Sequence, residues 1–242
     1  MVRLVGELML QPLPESTVRS EIRRRLPRFR FRMEIFDSLL ARALTSCRAW
    51  LDLGCGRNDL LAEFAGARLR VGADCVRHPC LVREPGCHFV QARAEYLPFR
   101  DSSFQLVTMR QVVEHLRYPL AVFAELYRVL KPGGRVLLVT TNRQAPLVWL
   151  GRHLPLPLKM LLLRRLYGKA EEDVYPTFHR WNTWRRLPQP PPGFRTVRLL
   201  STENPVRENL WLLQLSVLWM RLTEAVSLQA YWSNLIAEYE RM

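Results

Sequence analysis

The chain has 242 residues, 48% hydrophobic and 24% charged, which suits one large domain, or one domain with an appendage, and excludes a disordered chain. Its net charge of +14, from 36 Lys plus Arg against 22 Asp plus Glu, is almost wholly arginine. Five cysteines without a CxxC pair argue against a disulfide framework or a zinc ribbon.

No secretory leader is visible, and no uncharged apolar run approaches the ~20 residues that span a bilayer, so a cytoplasmic protein is expected. Residues 1–48 read as a basic leader and an N-terminal helix. Arg23, Arg24, Arg25, Arg28, Arg30 and Arg32 form a charge run, read as a solvated face, with contact to an anionic surface as the sharper alternative. Glu34–Leu44 then carries a helical stripe of Ile35, Phe36, Leu39, Leu40, Ala43 and Leu44, fit to cover a sheet edge or the mouth of a site.

From Ala49 to Asn142 short apolar runs alternate with helical patterns. Strands are predicted at Ala49–Leu53, Leu69–Asp74, His88–Ala92, Phe104–Met109 and Arg135–Thr140, and helices at Asp59–Ala65 and Pro119–Leu130. That order predicts an α/β fold, a doubly wound, Rossmann-like, mostly parallel sheet with helices on both faces. Residues 143–192 then read as a helical insertion after the fifth strand. Phe194–Ser201 reads as a strand, Arg207–Leu222 as an amphipathic helix and Tyr231–Tyr239 as a last strand. Leu147–Leu166 and Leu210–Leu222 suit core packing first, and a membrane surface second, with Arg152, Lys159, Arg164 and Arg165 meeting headgroups.

The segment Trp50-Leu-Asp52-Leu-Gly54-Cys-Gly56-Arg-Asn58-Asp59 runs from a strand through a glycine turn into a helix. Asp74 ends the next strand, 20 residues after Gly54, where a carboxylate can accept both hydroxyls of a ribose. A pyrophosphate-binding GxGxxG turn would have its third glycine at 59, where this chain has Asp59. An anion at that helix N-terminus repels pyrophosphate. A ligand with a ribose, an adenine and a cationic sulfonium fits better, with Asp52 holding the loop or attracting the cation.

These residues resemble the class I S-adenosylmethionine-dependent methyltransferases. Leu51-Asp-Leu-Gly-Cys-Gly56 is similar to their first motif and Val71-Gly-Ala-Asp74 to their ribose-binding strand. Ala94-Glu-Tyr-Leu-Pro-Phe99, Val112-Val-Glu-His115 and Tyr127-Arg-Val-Leu-Lys-Pro-Gly-Gly134 follow in the family's order. The branch that looks closest serves quinone, glycan and small-metabolite synthesis. The resemblance implies that 49–242 is a methyltransferase domain whose insertion at 143–192 forms the acceptor side. It implies S-adenosyl-L-methionine as cofactor, held by Asp52, Gly54, Cys55, Gly56, Asp74, Cys75, Ala94, Glu95 and Arg110.

Three positions depart from the family pattern. Asn58 replaces a glycine but tolerates left-handed backbone. Arg93 stands where an Asp accepts the adenine amino group, and an arginine cannot accept. Gln105 replaces an Asp. These departures keep a non-catalytic, methyltransferase-fold binding protein among the readings.

His179 is the expected general base, because its polar aromatic segment faces the acceptor side; His115 either contacts the ligands or orients its loop. Asp173, Tyr175 and Arg180 are expected to orient the acceptor, and Trp181 and Trp184 either stack on it or pack inside. No metal is expected, since Gln111 stands where metal-assisted relatives carry a carboxylate. The expected partner is a small-molecule, glycan or lipid-linked acceptor, with peripheral membrane contact open. An RNA methyltransferase ranks lower, because no RNA-binding module is recognisable.

Overall fold

A computed structural model describes residues 13–153, 176–205 and 210–242. In chain order the elements are α1 (Glu15–Arg25), α2 (Arg32–Leu44), β1 (Ala49–Leu53), α3 (Asp59–Glu63), β2 (Leu69–Asp74), β3 (Cys87–Gln91), β4 (Phe104–Arg110), α4 (Pro119–Val129), β5 (Leu130–Thr141), α5 (Pro146–His153), β6 (Phe194–Thr202), α6 (Leu210–Ala225) and β7 (Asn234–Arg241). One seven-stranded sheet has the order β3-β2-β1-β4-β5-β7-β6. Strands β1 to β5 are parallel, and β7 runs antiparallel between β5 and β6.

The strand pleat divides the core. Trp50, Leu106, Leu137 and Ile236 pack with Phe36, Leu40 and Leu60 on one face. Leu51, Val107, Leu138 and Ala237 pack with Phe123, Leu126 and Trp181 on the other. Successive residues of each strand alternate between these layers, so helices must cover both faces. Helix α4 starts with Pro119 at its first position, where a missing N–H costs nothing, and turns Val122, Phe123, Leu126 and Val129 inward.

The leader carries a helix, α1, beside its solvated arginines. Val18, Ile22 and Leu26 are buried against Leu213, Val217 and Met220 of α6. Its arginines ride the outer side, Arg24 and Arg25 pairing with Glu21 and Arg23 with Glu34. Strand β5 begins at Leu130 rather than Arg135, because Leu130 pairs with Phe104 before the Pro-Gly-Gly irregularity. Strand β7 begins at Asn234 rather than Tyr231, because Gln229–Tyr231 forms a 3-10 turn. Much of the acceptor-side insertion, including Asp173, Tyr175, Lys159, Arg164 and Arg165, lies outside the described residues, as does the start of the helix expected from Arg207.

Candidate active site

Strand order reverses between β1 and β4, so a crevice opens beyond their carboxyl ends, the place where doubly wound sheets bind ligands. The loop after β1 forms one wall. Gly54 (φ 72°), Gly56 (φ 51°) and Asn58 (φ 71°) all have left-handed backbone, and the Gly54 and Cys55 N–H groups donate to the Ala73 carbonyl of β2 at 2.7 and 3.3 Å. Gly54 has no room for a side chain, since a Cβ would lie 2.3 Å from Val112 Cγ2. Asn58, the departure from the glycine pattern, keeps the turn and is buried.

Asp74 closes this wall. Its Oδ2 accepts from Gly56 N–H at 2.9 Å and its Oδ1 from Val76 N–H at 3.1 Å. One backbone donor per oxygen fixes the carboxylate and leaves lone pairs for hydroxyl donors. Cys75 beside it is exposed, and its carbonyl accepts from Gln91 Nε2.

Asp52 lies beneath the loop. It is buried, and its Oδ1 accepts from Thr108 Oγ1 at 2.6 Å, while Trp50 Nε1 donates to the same hydroxyl at 2.8 Å. Burial pushes its carboxyl up to about 6, opposed by the Thr108 hydrogen bond and by the positive charge of Arg110. Arg110, the last residue of β4, also acts electrostatically on Asp37 and Arg32 of α2.

In the loop after β3, Arg93 is 70% exposed and reaches Glu95 at 3.6 Å, whereas Glu95 is largely buried. The loop carrying Ala94 and Glu95 is secured by residues that the sequence reading passed over. Glu125 accepts from Leu97 N–H at 2.9 Å, and Arg128 donates to the carbonyls of Leu97 and Phe99. The spacing of three residues on one helix was the available signal. Gln105 takes no part in the crevice, for its Oε1 accepts from the N–H groups of Arg48 and Ala49 at the start of β1.

After β4 the crevice is built on Glu114, which is buried. Its carboxylate accepts from Thr140 Oγ1 at 2.7 Å and Thr141 Oγ1 at 3.2 Å. Gln111 Nε2 also donates to it, and Gln111 Oε1 accepts from Arg32 Nη1 at 3.0 Å. The Glu114 carbonyl accepts from both Phe178 and His179 N–H groups. This network ties α2, β4, β5 and segment 176–182 together across the crevice, and Arg32, Gln111, Thr140, Thr141 and Asn182 were absent from the sequence-based site.

The two histidines are held differently. Asn182 Nδ2 donates to the Thr141 carbonyl and to His179 Nδ1 at 2.8 Å, so the His179 lone pair at Nδ1 is consumed and its neutral ring carries the proton at Nε2. His179 is 6% exposed. His115 Nδ1 lies 2.8 Å from the Pro176 carbonyl, which cannot donate. The Nδ1–H is therefore the donor, and the lone pair of the neutral ring lies at Nε2. Arg180 is exposed. Trp181 is buried against Phe123 at 5.4 Å and serves the core.

A reversing parallel sheet, a left-handed glycine loop and a fixed carboxylate on the neighbouring strand define the class I S-adenosylmethionine-dependent methyltransferase fold. Residues 51–138 match the methyltransferase domain model. The chain is 35% identical over 108 residues to the ubiquinone/menaquinone biosynthesis C-methyltransferase of Vibrio vulnificus, covering 38% of this chain and 41% of that protein. The chain thus spans about two fifths of the curated relatives it matches. Among solved structures, an S-adenosylmethionine dependent methyltransferase from Mesorhizobium loti has a TM-score of 0.52 at 18% identity, covering 85% of this chain and 98% of that one. The N-methyltransferase NodS of Bradyrhizobium japonicum, solved with S-adenosyl-l-homocysteine, has a TM-score of 0.51 at 13% identity and 90% coverage of both chains. Both show the fold.

Proposed function

We propose that this chain binds S-adenosylmethionine in the crevice and transfers its methyl group to a small-molecule acceptor, with a glycan or lipid-linked acceptor as the finer reading. The observation that carries it is the Asp74 carboxylate, held by Gly56 and Val76 N–H groups beside a loop in left-handed backbone. The residues fit the cofactor: a Cβ built on Gly56 meets nothing within 4 Å, so the loop backbone is open to a close ligand. None of the three departures from the family pattern blocks it. Asn58 keeps the turn, Arg93 reaches outward to Glu95, and Gln105 braces β1.

When bound, the cofactor supplies a methyl group already activated on a sulfonium, so alignment does much of the work. Asp74 holds the ribose hydroxyls, the Gly54–Gly56 backbone and Asp52 keep the cationic end in place, and Ala94 and Glu95 wall the adenine. Arg110 offers its guanidinium to a carboxylate. On the acceptor side, His115 Nε2 takes the proton of a hydroxyl acceptor, its ring aimed by Pro176, while Glu114 and His179 position segment 176–182. The ubiquinone/menaquinone name of the Vibrio relative favours an aromatic or lipid-borne acceptor.

Titration calorimetry with S-adenosylhomocysteine tests this reading. The wild type should bind saturably, and Asp74→Ala should lose about 100-fold in affinity, as expected for two charge-assisted hydrogen bonds. A wild-type protein that takes up no S-adenosylhomocysteine or S-adenosylmethionine would end it.

A further inference from the structure

Helix α6 is apolar on nearly all sides, unlike a helix that faces water. Between Leu210 and Ala225 its ionisable residues are Arg221 and Glu224. Leu213, Val217 and Met220 are buried against α1. On the opposite side Trp211, Leu215, Leu218 and Leu222 recur at steps of four, three and four, and they are 76%, 53%, 51% and 56% exposed. That is one continuous stripe of large apolar side chains in water, and such patches mark interaction sites.

The stripe lies at the crevice end of the molecule. Trp219 Nε1 donates to Glu203 Oε2 at 3.0 Å, and Glu203 directly follows β6. Thr202, the last residue of β6, pairs with Asn234, which pairs with Thr141 at the carboxyl end of β5. Trp232 Nε1 fastens the other side of α6 through Thr223 Oγ1 at 2.8 Å. The helix packed beneath, α1, carries Arg23 and Arg24, with side chains 62% and 66% exposed, and Arg28 and Arg30 follow, also exposed.

We infer that α6 docks this end of the protein on an anionic bilayer surface, its Trp211–Leu222 stripe entering the headgroup and acyl boundary while the α1 arginines meet lipid phosphates. Apolar side chains flanked by arginine suit that boundary. A second copy of this chain fits poorly, because it would bring two proteins of charge +14 and two arginine rims together. The docked pose puts the crevice mouth at the lipid surface, where a lipid-carried acceptor is delivered. That last step rests on the methyl-transfer reading, whereas the docking does not.

Flotation of the full chain with vesicles of phosphatidylcholine, and of phosphatidylcholine with phosphatidylglycerol, tests the proposal. The wild type should float with the anionic vesicles, far less with the neutral ones, and be released in part by salt. Leu215→Ser with Leu218→Ser should lower flotation at least about ten-fold, with thermal unfolding and S-adenosylhomocysteine affinity unchanged. Arg23→Glu with Arg24→Glu should lower it only on anionic vesicles. A wild type that stays with neither vesicle, or a serine variant that floats as well, overturns the proposal. So does a wild-type dimer that sediments as monomer once the leucines are replaced. Failure of S-adenosylhomocysteine binding in a protein that floats would end the methyl-transfer reading and leave the docking standing.

Discussion

Gly72 is bare because Asn58 occupies the space above it: a Cβ on Gly72 would stand 2.0 Å from Asn58 Oδ1 and 2.8 Å from Cys55 Sγ. The second strand and the first loop thus fit as a pair. Asn58 is short and buried, so it cannot swing aside. Gly72→Ala should cost about 1–3 kcal/mol of stability and loosen the loop. Paired thermal scans and S-adenosylhomocysteine titrations would show both losses; an alanine variant equal to wild type in both would mean the fit is slack.

Asp52 sets a pH dependence. Burial raises its carboxyl from 3.8 to about 6, so between these values the folded protein keeps a proton that the unfolded chain has released. Stability contributed by this group falls as pH rises through that window, and the full penalty stands above it. Asp52→Asn should therefore stabilise the unliganded protein at neutral pH by about 1–3 kcal/mol, with little gain near pH 4. Denaturant melts across the window provide the check. The same substitution should weaken binding of the sulfonium form more than of S-adenosylhomocysteine, because only the former carries the extra positive charge.

The two histidines give opposite expectations. His115→Gln should lower kcat about 100-fold or more for a hydroxyl acceptor with cofactor affinity kept. His179→Gln should instead reduce thermal stability and raise the acceptor KM, since its ring is held by Asn182. The reverse pattern in steady-state kinetics would return the base to His179.

Gln105 ties the start of β1 through two backbone donors. Gln105→Leu leaves both N–H groups without that acceptor and should cost about 1–3 kcal/mol, with cofactor affinity unchanged because the residue sits at the opposite end of the strands. Chemical denaturation beside calorimetry separates the two. A lost affinity would place Gln105 in the crevice after all.

The central strands were legible because their signals are local. Ala49–Leu53 and Leu69–Asp74 match the sequence reading residue for residue, each an apolar run ending at the loop or the carboxylate. The loop after β1 was legible for the same reason: Gly54, Gly56, Asp52 and Asp74 sit at fixed offsets along the chain. What stayed hidden depends on partners far along the chain. Arg32 reaches Asn234 across 202 residues, and α1 shows few buried apolar positions until α6 covers them. The histidine tautomers were illegible because a ring tautomer is set by its neighbour's hydrogen bond, and neither Asn182 nor Pro176 announces itself in a motif.

The place of β7 between β5 and β6 has a consequence for synthesis. Any nascent or truncated product ending before residue 234 holds β5 with an open hydrogen-bonding edge and β6 with no strand to join. Such an edge invites pairing with other chains. A premature stop late in the coding sequence is therefore expected to give an aggregating product rather than a shortened working domain, and chaperone demand should peak in the interval between the emergence of β6 and that of β7.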